Sequence, residues 1–90
     1  MIKELYFKAH GLVQGIGYRY YASRVARRFG LFGFCRNIGK DGFECVVQGE
    51  KNKTEQFLEQ IKKGPDSARP EKIEFEFRKP NENFTDFSVQ

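Results

Sequence analysis

Tryptophan is absent and methionine occurs once, so phenylalanine, tyrosine and the aliphatic residues must fill whatever core this chain builds. The two cysteines, Cys35 and Cys45, are too few for a disulfide-dense secreted scaffold. They lack the CxxC spacing of redox or zinc sites and read as reduced packing residues on two neighbouring strands. No apolar run approaches the length of a bilayer span. The stretch from Met1 to Lys8 carries charges where a secretion signal needs apolar residues. These absences point to a cytoplasmic protein with no membrane partner. Repeats, low-complexity tracts and long linkers are also missing, and no cluster of His, Cys and carboxylates has metal-ligand spacing. Spacing thus gives no sign of a metal or cofactor site.

Aromatic weight is what the chain does have. Ten Phe and four Tyr in 90 residues supply large apolar area per side chain. A chain of this length is expected to form one domain, residues 1–90, whose folding hides roughly two-thirds of the unfolded surface. Sixteen Lys and Arg against twelve Asp and Glu leave a formal charge of +4. That charge favours anionic partners without choosing between a small phosphate compound and nucleic acid.

Periodicity sets out the elements. Leu5, Phe7 and Ala9 alternate, predicting a first strand that ends near His10. Tyr18, Tyr21, Ala22, Val25, Ala26 and Phe29 recur at helical spacing, with Arg24, Arg27 and Arg28 on the other face and Gly30 as the stop. Leu31 to Ile38 predicts a second strand, Gly39-Lys40-Asp41-Gly42 a turn, and Phe43, Cys45 and Val47 the apolar face of a third strand. Asn52 and Glu55 form a capping box for a second helix. Its inner stripe is Phe57, Leu58 and Ile61, and Gly64-Pro65 ends it. Ile73, Phe75 and Phe77 alternate with Glu74, Glu76 and Arg78 in the cleanest strand; Phe84, Phe87 and Val89 predict a short closing segment.

The resulting order is the ferredoxin-like βαββαβ order of an α+β sandwich. One antiparallel or mixed sheet is expected, with two helices packed on one face and the other face partly open to water. The hairpin should pair antiparallel, and each helical crossover should return a parallel neighbour.

The stretch that speaks of chemistry runs from Gly11 to Arg19, Gly-Leu-Val-Gln-Gly-Ile-Gly-Tyr-Arg. It joins a strand to a helix N-terminus, where free N–H groups converge and the dipole is positive. Gly15 and Gly17 let the backbone approach an anion closely. Arg19 is placed to fork two hydrogen bonds onto a phosphate. It is neither a Walker loop nor a G-x-G-x-x-G dinucleotide fingerprint. On spacing alone, an anion cradle and a tight structural turn with a surface arginine are equally compatible.

The same stretch resembles the acylphosphatase signature, commonly G-R-V-Q-G-V-x-F-R. Phe34-Cys35-Arg36-Asn37 is similar to that family's second marker, an asparagine that ends the second strand after an aromatic, a small and a basic residue. Phe87-Ser88-Val89 fits the family's F-x-[IV] ending, so the resemblance covers nearly the whole chain. It implies a hydrolase that splits the carboxyl–phosphate anhydride bond of a small acyl phosphate, without metal or covalent enzyme intermediate. Inorganic phosphate would be both product and inhibitor, and the protein a monomer with no nucleic-acid partner. Carried over by position, Arg19 binds the phosphoryl group, and the amides of Gly15, Ile16, Gly17, Tyr18 and Arg19 complete the cradle. Asn37 orients the attacking water.

Several residues depart from the family pattern or compete with it. Leu12 replaces the usual arginine, Ile16 the usual valine and Tyr18 the usual phenylalanine. Leu12 removes a charge near the loop mouth. His10 is a strand-end histidine whose ordinary reading is packing or surface, and the Arg24, Arg27, Arg28 stripe reads as a solvated helix face. The rival class is a ferredoxin-like RNA-binding module, which shares element order, size and basic charge. Phe32-Gly33-Phe34 resembles part of the sheet motif of such modules, but on the second strand rather than the third. The third strand's Phe43-Glu44-Cys45-Val46 lacks the aromatic spacing needed to stack bases. A third alternative is the acylphosphatase-like domain of larger hydrogenase-maturation proteins.

Overall fold

Strand alternation decides which side of the sheet the helices cover. The computed structural model describes residues 2–11, 16–65, 70–80 and 82–90. The elements are β1 (Ile2–Gly11), α1 (Ile16–Arg28), β2 (Phe32–Ile38), β3 (Gly42–Glu50), α2 (Lys51–Lys63), β4 (Pro70–Arg78) and β5 (Phe87–Val89). Leu5, Phe7 and Ala9 of β1 stand opposite Val47, Cys45 and Phe43 of β3. Both trios are fully buried, as are Tyr18, Ala22, Phe57 and Ile61 or nearly so. These side chains form one core between the sheet and the two helices. At about 1.5–3 kcal/mol per fully buried large apolar side chain, this layer is the main favourable term in folding.

The sheet order is β4-β1-β3-β2-β5. β3 pairs antiparallel with both β1 and β2, and β4 pairs antiparallel with β1. The expected parallel neighbours are therefore not neighbours. β3 lies between β1 and β2, and β1 lies between β3 and β4, so each crossover returns parallel but one strand away. The reason is width: a helix about 10 Å across spans two strand spacings of about 4.8 Å. The closing segment becomes β5, which pairs parallel with β2 at the far edge.

Helix ends test the local expectations. Gly30 and Gly64 follow α1 and α2 with φ of 69° and 67°. The capping box at Asn52 is not formed. β3 runs directly into α2, so Glu50 occupies the N-cap without a side-chain cap bond, and Asn52 lies inside the first turn. On β4, the Ile73, Phe75, Phe77 face points helix-ward, but Phe75 remains 46% exposed because β4 is an edge strand.

The other sheet face is partly open to water, as expected, and carries a polar network. Glu4 is buried and pairs with Arg78, and Gln48 Nε2 donates to its Oε1 at 2.9 Å. Glu44 accepts from Arg36 Nε at 2.6 Å and from the Tyr6 hydroxyl at 2.8 Å. Burial pushes the Glu44 carboxyl up, but the Tyr6 hydroxyl, Arg36 and Lys8 outweigh it and hold it below the usual range. A depressed carboxylate contributes stability above its unfolded value, about 4.3, and loses it as pH falls through the folded value. The Tm gap between the wild type and Glu44→Gln should thus be full near pH 7 and shrink in acid. A gap that is constant from pH 7 to pH 3 would remove Glu44 from the acid response.

Candidate active site

Three strand ends meet at one end of the sheet. β1 finishes at Gly11, β2 at Ile38, and β3 begins at Gly42, with His10 opposite Gly42 and Asn37 opposite Phe43. The Gly11 N–H donates to the Asp41 carbonyl at 3.1 Å, tying the end of β1 to the hairpin turn. Gly11 has φ of 111°, and a Cβ there would stand 2.7 Å from Glu71 Cγ, so only glycine lets the chain leave the sheet at this point. α1 starts at Ile16, at this same end. Of the residues expected in the cradle, Gly15 lies outside the described residues, together with Leu12, Val13 and Gln14.

Tyr18 fixes the first turn of α1 to the sheet. Its ring meets Phe43 edge-on, with centroids 4.9 Å apart. Its hydroxyl donates to the Ile61 carbonyl at 3.3 Å, and the Tyr21 hydroxyl donates to the Gln60 carbonyl at 2.7 Å. Burial pushes the Tyr18 phenol well above its ordinary range, so it acts as a neutral anchor. The anchor stands on Phe43, which is the direct cross-strand partner of Asn37.

Alternation along β2 puts Asn37 on the helix-covered face, two residues beyond the buried Cys35. Arg19, next to Tyr18 in the first turn of α1, has its Nε buried. Burial pushes the Cys35 thiol up to about 12, against the opposing pull of the Arg19 and Arg27 guanidiniums. Arg19 and Asn37 are thus brought to the same seam between α1 and β2. His10 is not: it faces the opposite side of the sheet with Tyr6 and Lys8, between Gly42 and Lys72. Cys35 and Cys45 stand directly opposite each other as free, buried thiols, and burial also raises Cys45. Neither is an activated nucleophile.

Two features of this seam favour an anion. The first turn of α1 contains no acidic residue, while Arg19 stands in it. A cation there is disfavoured by the helix dipole by about 0.3–1 kcal/mol, and an anion between the two satisfies both. Arg19 Nε and Asn37 Oδ1 are buried without a hydrogen-bond partner among the described residues. Each such atom costs about 1–3 kcal/mol until a partner meets it. Ser23 Oγ is unpartnered in the same way. Periodicity alone missed Ser23; its four-residue spacing from Arg19 was the available signal.

The acylphosphatase family model matches residues 5–89. The chain belongs to the acylphosphatase family. The acylphosphatase of Thermotoga petrophila is 32% identical over 89 residues, spanning 99% of this chain and 98% of that protein. The crystal structure of acylphosphatase from Bacillus subtilis is similar with a TM-score of 0.92 and 25% identity, over 98% of each chain. HypF of T. kodakarensis matches 98% of this chain with 30% identity and a TM-score of 0.84, but over only 12% of its own length. The ferredoxin-like α+β architecture therefore agrees with the fold of acylphosphatases of known structure.

Proposed function

We propose that the chain hydrolyses acyl phosphates, with Arg19 and the amides from Gly15 to Arg19 holding the phosphoryl group and Asn37 orienting water. The observation that carries this reading is the meeting of an acid-free α1 N-terminus that holds Arg19 with the strand end that holds Asn37, whose buried Oδ1 has no hydrogen-bond partner among the described residues. The water oxygen attacks phosphorus, the bond from phosphorus to the bridging oxygen breaks, and its electron pair leaves with the carboxylate. The water's protons pass to solvent or to the phosphoryl oxygens. A carboxylate leaves readily, so acid catalysis is unnecessary. Positioning of water and stabilisation of charge on the phosphoryl oxygens are what the protein must supply.

The RNA-binding alternative meets an unsuitable surface. The open face of the central strands presents Glu4, Glu44 and Gln48, two of them acidic and buried in ion pairs. On that face Phe34 packs on Phe84 with ring centroids 5.9 Å apart, Tyr6 is covered by the Arg78 guanidinium at 5.0 Å, and the exposed Phe32 stands by itself at the start of β2. Base stacking needs free aromatic faces there. Release of phosphate from an aryl acyl phosphate should proceed in the presence of chelator, with only weak, salt-sensitive binding of single-stranded RNA. Tight RNA binding lost on Phe34→Ala, with no hydrolysis, would reverse the assignment.

A further inference from the structure

Ser23 carries a hydroxyl that α1 does not use for its own structure. The residue is 1% exposed and its Oγ has no hydrogen-bond partner among the described residues. A serine or threonine inside a helix commonly returns its hydroxyl to a carbonyl one turn back. Thr54 does so in α2, donating to the Lys51 carbonyl at 2.7 Å. Ser23 makes no such bond. Alanine would fill the position with better helix propensity and without a buried polar atom.

Its location gives the hydroxyl a task. Ser23 follows Arg19 by four residues and so lies one turn along the same flank of α1. Arg27 lies a further turn along, and its Nη2 donates to the Phe87 carbonyl of β5 at 3.1 Å. This flank therefore faces β2 and β5, with Ser23 between the two arginines. Arg19 Nε, buried in the same seam, also lacks a partner among the described residues. A guanidinium offers two forks, an end-on one from its terminal nitrogens and a side-on one that uses Nε. Which fork meets the phosphate depends on what holds Nε.

We propose that Ser23 is a positioning residue for Arg19: its hydroxyl oxygen accepts the Nε–H when a phosphoryl group is bound, so that the end-on fork grips the anion. This rests on the acylphosphatase reading above. The pairing explains both unpartnered atoms on α1 with one hydrogen bond. It also explains why a residue that helix packing does not favour stands there.

The test is a double-mutant cycle read by kcat/KM and by the inhibition constant of inorganic phosphate. Ser23→Ala should lower kcat/KM by about 10-fold and weaken phosphate inhibition by a similar factor, the usual loss for one hydrogen bond to a charged group. Its Tm should be unchanged or higher. Ser23→Thr, which keeps the hydroxyl, should recover most of both losses. In an Arg19→Lys background, which has no Nε–H to hold, Ser23→Ala should change neither quantity. Unchanged kinetics in Ser23→Ala would overturn the proposal, and so would an equal loss in both backgrounds, because packing effects do not depend on Nε. Arg19→Ala with normal phosphate inhibition would instead remove the cradle itself, which separates the two failures.

Discussion

Arg19→Ala should lose hydrolysis by about 10³-fold or more, in line with removal of an arginine that stabilises a transferring phosphoryl group. Inhibition by inorganic phosphate should disappear with it, because the same fork holds ground-state phosphate and transition state. The fold should survive. Arg19 is only half-buried, and its Nε contributes no hydrogen bond that the mutation could break. The helix dipole even favours its removal when no anion is bound. Lysine is a poor substitute, since a point charge lacks the planar fork. Near-normal activity and phosphate inhibition in folded Arg19→Ala would move the site elsewhere.

Asn37→Ala should separate two tasks that Arg19→Ala abolishes together. The Asn37 amide offers a donor and an acceptor, enough to hold one water by more than one bond, and carries no charge with which to grip an anion. Its kcat should therefore fall by about 10²-fold, as on loss of an orienting transition-state group, while phosphate inhibition changes far less. The competing view makes Asn37 a strand-end residue that shapes the turn before Gly42. On that view Tm falls and the folded fraction keeps its kcat. Measuring kcat, phosphate inhibition and Tm on one sample distinguishes them, and unchanged kcat with a lowered Tm would leave the mechanism without its water-orienting residue.

Much of this arrangement was legible because strand alternation is local. Phe43, Cys45 and Val47 announce a buried face, and that face became the centre of the core. The inner stripe Phe57, Leu58 and Ile61 is likewise buried as its spacing requires. The strand order was less legible, because no residue of β1 encodes that β3 rather than β2 lies beside it; helix width decides that. The missing cap at Asn52 has a similar origin, since β3 enters α2 with no intervening loop. Ser23 was hidden by averaging: amphipathic patterning treats a helix as two faces, while the useful flank lies on the border between them. The charged open face reads in sequence as a solvated surface, yet Glu4 and Glu44 are buried in cross-strand pairs whose partners are 74 and 8 residues away.

The central claim is that the protein presents phosphorus, not the acyl carbon, to water. One turnover on an aryl acyl phosphate in ¹⁸O-enriched water decides it, with both products weighed by mass spectrometry. Attack at phosphorus predicts one solvent oxygen in the inorganic phosphate and none in the carboxylate. Solvent oxygen in the carboxylate would mean attack at the carbonyl carbon, and would contradict a cradle built on Arg19 around the phosphoryl group.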